Sequence, residues 1–474
     1  MQFLLDLRDR RPIQSGELVR HGTPLTQFRK AGLFYLVWVM FSYTTGGPFG
    51  LEDQITTSGP GMTLIYHLVL PLFWCIPISL VAAELTTAMP VEGGFYRWTR
   101  AGFGDFWGFL AGWWNWSASF LLGSSYAVMF SDYLGFYFPS LVGWRHYLLS
   151  LALIAVITYV NVRGIQLVGK LATFLEMMVL LPVAVMCVVA LTKWQHNPFT
   201  PVVPPHKPLF QVFGVGLALG LWLYSGYEQL STVAAEVENP QRTYPRALAW
   251  VVPLSIAAYF LPTLCALGAL GNWQQWHTGY FPDAAQLIGG RWLGLWMLLS
   301  ATVASVSLLN STVLASTRMP FAMAEDGYMA RALTRQHSRY GTPAVAIVIS
   351  CAIYAVFAWH SLTQLISVYI WLRIATSLLT VLSAWKLRQK APGLPRAFRI
   401  PWGRKGLMYA VLAPVLMSGV ALLGSDSFGW HWGPVALLLG PLAYVFFRRR
   451  PATPGEPFPH GGTEPRGTQK AALT

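Results

Sequence analysis

The sequence predicts an all-α polytopic membrane protein of twelve transmembrane helices, two of them broken at mid-membrane. Three observations predict it. Over 474 residues the chain is 54% hydrophobic and only 11% charged, with a mean hydropathy of +0.46. Twelve apolar segments reach the roughly 20 residues that a hydrocarbon core about 30 Å thick requires. They lie at 31–58, 62–88, 105–137, 146–162, 168–192, 209–237, 246–270, 292–317, 343–360, 364–387, 406–424 and 432–448. The first and the sixth are interrupted in the same way, each with a carboxylate just past the break.

The N-terminal tail, residues 1–28, is polar. Met1 to Leu5 is too short for the apolar core of a signal peptide, and Asp6, Arg8, Asp9, Arg10 and Arg11 follow at once. The first span runs from Leu33 to Met40, breaks at Thr44-Thr45-Gly46-Gly47-Pro48-Phe49-Gly50 and resumes at Glu52-Asp53. The sixth runs from Leu217 to Leu223, breaks at Tyr224-Ser225-Gly226-Tyr227 and resumes at Glu228. Unsatisfied backbone groups in lipid cost several kcal/mol each, so such breaks must line a cavity. Breaks at corresponding places in two halves point to a substrate site near the midplane. The first ten spans therefore divide into two five-helix repeats, 29–192 and 193–390, each opening on its broken helix. Five is odd, so the second repeat is inserted upside down. Spans 11 and 12, residues 391–449, lie outside the repeat, and 450–474 form a polar C-terminal tail.

The net charge of +14 follows the membrane and not a nucleic acid. With the N-terminus inside, 28 of the 33 Lys and Arg fall on the cytoplasmic side. The outer side holds Arg145, Lys193, Lys207 and Arg291, and Arg373 sits inside a span. This positive-inside bias places both termini in the cytoplasm, for a multi-pass protein of the inner cell membrane. It also adds attraction to anionic membrane lipid. Cys75, Cys187, Cys265 and Cys351 all fall within spans without metal-ligand spacing, and read as small buried hydrophobes. The ten His are isolated, and no nucleophile elbow or phosphate-binding Gly loop occurs. No cofactor, metal or covalent chemistry is expected, and the chain does not read as an enzyme. Lipid-facing and partner-facing surfaces share one composition, so the sequence sets no oligomeric state.

At the first break one helix ends near Thr45 with free carbonyls, and the next begins near Leu51 with free N–H groups. The dipoles make the first end partly negative and the second partly positive. Such a gap suits a small molecule bearing an ammonium and a carboxylate. The backbone of Thr45, Gly46, Gly47, Phe49 and Gly50 would hold it, and Ser225 and Gly226 offer the same groups at the second break. Glu52 and Asp53 are either dipole partners or attract a cationic substrate and repel an unpartnered carboxylate. Glu228 adjoins its break and would set charge preference. Trp222 precedes that break and would close over the site, whereas Trp113, Trp114 and Trp116 line the cavity or pack the core.

Ionisable groups at membrane depth are expensive and by default mark function. Glu176, flanked by Leu175, Met177 and Met178, is either a proton-coupling group or a hydrogen-bonded structural acid. Glu228 is the other candidate proton carrier. Glu84 lies near the cytoplasmic end of its span and reads as structural. Arg373 needs a partner, with Glu52, Asp53 and Glu228 as candidates. That pair would act as a gate, as a fixed substitute for a bound cation, or as static scaffold.

Over about residues 25–450 these features resemble the amino acid–polyamine–organocation superfamily of carriers. Ala83-Glu84-Leu85 through Met89-Pro90-Val91-Glu92-Gly93-Gly94-Phe95-Tyr96 is similar to its second span and following loop. Asn161-Val162-Arg163-Gly164 resembles its loop 4–5. Trp222 to Glu228, with Glu236-Val237-Glu238-Asn239-Pro240-Gln241-Arg242-Thr243-Tyr244-Pro245-Arg246, resembles its sixth span and following loop. Met323-Ala324-Glu325-Asp326-Gly327 and Pro395-Arg396-Ala397-Phe398-Arg399-Ile400-Pro401 resemble the loops after spans 8 and 10. Gly46 to Asp53 and Ser338-Arg339-Tyr340-Gly341-Thr342-Pro343 look most like plant-type polyamine and L-type amino acid carriers. The resemblance implies the leucine-transporter-type inverted-repeat fold. It implies uptake of an amino acid or polyamine by alternating access, coupled to protons, with Trp222 as gating aromatic and Glu228 as the sixth-span acid. Many proton-coupled relatives carry a Lys in the fifth span where this chain has Glu176. Arg373 is unusual beside polyamine carriers, since a fixed cation weakens polycation binding unless an acid neutralises it. An obligate exchanger is the alternative within the class, and a transporter-like substrate sensor the alternative outside it.

Overall fold

The computed structural model describes residues 32–90, 93–163, 165–205, 212–229, 231 and 237–447. The tails predicted at 1–28 and 450–474 lie outside these residues. Helices account for most of the described chain, and no β-strand occurs among the described residues. Helix α1 (Leu33–Thr44) is wholly apolar until its last turn and stops at Thr45, just ahead of Gly46-Gly47-Pro48. Helix α2 (Glu52–Ser58) opens with Glu52 and Asp53 at its positive dipole end. Gly59, at φ 90°, turns the chain, and Pro60 starts α3 (Pro60–Ala88) at a position that needs no N–H. Inside α3, Pro71-Leu72-Phe73-Trp74-Cys75 form a π-helical turn. Prolines remove backbone donors, and such turns re-aim side chains.

The chain continues through α4 (Gly94–Phe103), α5 (Asp105–Tyr137), α6 (Trp144–Arg163), α7 (Ile165–Thr192) and α8 (Val215–Leu223). Then come α9 (Pro240–Ala269), α10 (Phe281–Gly289), α11 (Arg291–Ser316), α12 (Arg318–Glu325) and α13 (Ala344–Phe357). Helices α14 (Leu362–Lys390), α15 (Gly403–Leu423) and α16 (Ser427–Phe447) complete it. Helix α14 starts on a capping box in which the Ser361 hydroxyl accepts from the Gln364 N–H and the Gln364 side chain accepts from the Ser361 N–H. Among the described residues seven helices are long and apolar enough to cross a membrane, α3, α9 and α14 among them. Apolar side chains also face outward, for example Leu438, Leu442, Val445 and Phe446 on α16. A multi-pass membrane protein needs such a surface, because lipid is as apolar as the side chains.

The helix that the sequence resumes at Glu228 falls largely outside the described residues; among those described, Tyr227 and Glu228 turn and Gln229 and Ser231 carry a 3-10 turn. The Gln229 N–H bonds the Gly226 carbonyl at 2.9 Å and the Ser231 N–H bonds the Glu228 carbonyl at 3.0 Å. Gly226, at φ 109°, redirects the backbone. The Tyr244 hydroxyl then holds the Tyr227 carbonyl at 3.0 Å.

Two groups of helices meet at the breaks. Helices α5, α6, α11 and α13 pack on one another. Helix α9 packs on α1 and α3, and α8 packs on α2 and α3. Helix α14 touches α5 of the first group and α3 and α8 of the second, while α7 touches α11, α9 and α1. The cavity described next lies along this junction.

Candidate functional site

At the first break the helix ends are largely satisfied from within. The Thr45 N–H bonds the Phe41 carbonyl at 2.7 Å, and the Thr44 hydroxyl bonds the Met40 carbonyl at 2.9 Å. Tyr259 of α9 donates its hydroxyl to the Thr44 carbonyl at 3.1 Å. On the other side of the gap the Gly50 N–H donates to Glu52 Oε2 at 2.8 Å. Glu52 is fully buried, and its other oxygen accepts the Tyr133 hydroxyl of α5. The positive end of α2 therefore already holds a carboxylate, supplied by the chain itself. Asp53 points elsewhere, accepting the Thr278 N–H at 3.0 Å and the Thr278 hydroxyl at 2.6 Å, in the segment before α10.

At the second break the Ser225 hydroxyl donates to the Leu221 carbonyl at 2.5 Å and accepts the Trp74 indole N–H at 3.0 Å. The π-helical turn of α3 is what carries Trp74 to this place. Glu228 has turned away from the backbone gap to form an ion pair with Arg373 of α14. Both are buried, at 0% and 2% exposure, which makes a charge on either one costly without the other. Ser377, one turn along α14, lies 3.4 Å from the same Glu228 oxygen. Among the described residues Glu228 Oε2 and Arg373 Nε have no hydrogen-bond partner.

Between the breaks lies a narrow cavity. Its wall includes Tyr43, Phe49, Tyr126, Trp222, Tyr259 and Tyr369, six aromatic rings drawn from the first break and from α1, α5, α8, α9 and α14. Thr44, Ser225, Gly46 and Gly226 supply the polar and backbone part, and Leu122, Leu223 and Leu308 the aliphatic part. Tyr369 stands one turn before Arg373 on α14 and lines the cavity, so the ion pair lies beside it. Such a wall can hold a cation against π faces, worth about 2 kcal/mol or more when desolvated. Among the described residues no group of His, Cys, Asp and Glu could hold a metal ion.

Of the residues singled out in the sequence, Gly46, Phe49, Trp222, Ser225 and Gly226 line this cavity. Thr45 turns its hydroxyl to Ser255 at 2.6 Å, and Gly47, Gly50, Glu52 and Asp53 lie outside the wall. Arg373 finds Glu228 and not Glu52 or Asp53. Glu176 lies on α7, and its side chain falls outside the described ones. Trp113 meets Phe447 of α16, Trp114 bonds the Leu437 carbonyl and Trp116 bonds Ser350, so all three pack helices. The tyrosines of the wall were missed. Tyr43 had a usable signal, because it abuts the break, and Tyr369 had one as well, one turn from the buried Arg373.

Gly50 shows how tightly the gap is built. At φ 85°, a Cβ there would meet the Trp222 ring at 2.8 Å and Met129 Sδ at 3.1 Å. Gly50→Ala is expected to cost about 1–2 kcal/mol from backbone conformation alone, plus displacement of Trp222. Gly419, mid-helix in α15 with open space around it, is the control. There alanine is expected to stabilise by up to about 1 kcal/mol. Thermal melts of the two variants check the contrast, and equal melting temperatures would refute it.

The chain matches the amino acid permease family over residues 32–436. It is 31% identical over 404 residues to Polyamine transporter RMV1 of Arabidopsis thaliana, covering 84% of this chain and 81% of that one. It is 32% identical over 396 residues to Polyamine transporter PUT1 of Oryza sativa subsp. japonica, covering 83% and 74%. An uncharacterised transporter of Mycobacterium tuberculosis is 30% identical over 315 residues, covering 65% and 68%.

Proposed function

This chain belongs to the amino acid permease family of the amino acid–polyamine–organocation superfamily, and from that premise we propose that it carries a polyamine across the inner cell membrane. It is a membrane transporter and not an enzyme. In this reading twelve spans form two inverted five-helix repeats and two further helices, with both termini cytoplasmic. The two helix groups rock against each other to alternate access, and protons are the coupling ion. Gly46, Phe49, Ser225 and Gly226 hold the substrate, Trp222 closes over it, and Glu228 and Arg373 set the charge beside it.

The observation that carries the amine over the amino acid is the filled anion seat. An amino acid needs N–H groups for its carboxylate, and the Gly50 N–H at the start of α2 already bonds Glu52. What remains around the cavity suits a cation. Six aromatic rings line it, the negative ends of α1 and α8 flank it, and Glu228 Oε2 is free to accept beside it. The printed names of the plant relatives agree with an amine.

The test is uptake into proteoliposomes under an imposed pH gradient. Labelled putrescine and spermidine would be compared with leucine, glutamate and arginine. Gradient-dependent movement of the amines, with little of leucine or glutamate, is the expected result. Movement of zwitterionic amino acids alone would overturn the amine reading and require Glu52 to leave its seat.

A further inference from the structure

One titratable side chain stands directly behind both breaks and has no place in the mechanism so far. His67 on α3 is fully buried. Its Nδ1 lies 3.3 Å from the hydroxyl of Tyr224, the residue that caps α8 at the second break. Its ring stacks on Tyr259, with centroids 5.9 Å apart and planes 17° apart. Tyr259 in turn lines the cavity and bonds the last carbonyl of α1. His67 thus reaches each broken helix through a single tyrosine, and among the described residues its Nε2 has no partner.

The surroundings offer no counter-charge. Helix α8 and its break bring Tyr224, and α9 brings Tyr259. Helix α2 brings Glu52 and Asp53, but these are bonded to Gly50 and Tyr133 and to Thr278. No ionised side chain among the described residues interacts with His67. An imidazolium here would rest only on the negative ends of α1 and α8, the groups that flank an amine in the cavity. A buried cation without a partner is expensive. Proton and amine therefore draw on one electrostatic resource a side chain apart.

We propose that His67 is a proton-binding site antagonistic to the amine site, so that amine binding and closure release its proton. This rests on the amine reading above and deepens it, since it makes the coupling an exchange of proton for amine. By linkage, each ligand weakens the other by the same factor. The sign follows directly. Protons favour the empty, hydrated carrier with charged His67, and the amine favours the closed carrier with neutral His67. Affinity therefore falls as pH falls. The loss is to be read between pH 7.5 and pH 5. Putrescine itself stays doubly charged over that interval, because alkylamines titrate near 10.

Calorimetric titration of the purified full chain with putrescine, at pH 5 and 7.5 and in buffers of different ionisation heat, tests this. The wild type is expected to lose affinity at pH 5 and to release up to one proton per amine on binding. His67→Gln and His67→Asn are expected to bind with little pH dependence and no proton release. Binding whose pH dependence and proton release survive in both variants would overturn the proposal alone. A wild type that binds no amine at either pH would overturn the amine reading and this proposal with it. If both variants fail to fold, Tyr224→Phe keeps the imidazole and removes its Nδ1 partner. A shifted pH midpoint then supports the role of His67, and an unmoved one overturns it.

Discussion

Arg373→Ala is expected to abolish transport and to cost about 3–5 kcal/mol of stability. The reason is the position of Glu228, fully buried with Arg373 as its ion-pair partner. Removing the guanidinium leaves a carboxylate that must either stay charged in a low dielectric or take up a proton. Removing both charges at once is a smaller perturbation. A Glu228→Gln, Arg373→Met double variant is expected to recover much of the lost stability, because a buried pair replaced by neutral groups of similar volume is often nearly neutral. It is not expected to recover transport, since Glu228 Oε2 is the free acceptor beside the cavity. Thermal melts and uptake assays on the two variants separate these effects. A stable, fully active Arg373→Ala protein would show the pair to be dispensable.

Glu84→Ala is expected to have the second largest effect, at the other end of α3. Glu84 is fully buried and accepts Arg388 at 2.8 and 2.5 Å and the Ile400 N–H at 2.8 Å, with Arg396 at 3.3 Å. Thr87, one turn on, accepts the Phe398 N–H at 3.2 Å. One carboxylate thus ties the segment between α14 and α15 to α3. Its removal takes the shared carboxylate from Arg388 and Arg396 and frees the Ile400 N–H. A cost of about 3 kcal/mol follows, together with loosening of residues 391–402. Trypsin cleavage after Arg396 and Arg399 reports on that segment. Faster cleavage with a lower melting temperature is expected, and unchanged cleavage would mean that Thr87 and the Arg396 contacts to backbone carbonyls suffice.

Hydropathy and composition made the membrane class readable, and Gly and Pro made the breaks readable. These are local properties of the chain. Span limits at 105–137 and 364–387 match α5 and α14 closely because no proline falls within either run. The partner of Glu228 was not readable, because a lone carboxylate does not say which distant cation it meets. Glu52 and Asp53 are adjacent in sequence, yet one closes the α2 amide end and the other ties down the segment before α10. Their difference comes from which neighbour packs on each side of α2.

The sequence by itself determined that this is a polytopic membrane protein whose backbone is broken twice. It also determined that a carboxylate adjoins each break and that one arginine lies within a span. Only the tertiary structure decided that Arg373, 145 residues from Glu228, is its partner. It likewise decided that four tyrosines from four segments wall the cavity and that His67 stands behind both breaks. The physical reason is range. Burial and backbone breaks follow from residue types a few positions apart, whereas the partner of a buried charge is set by which distant helix faces it.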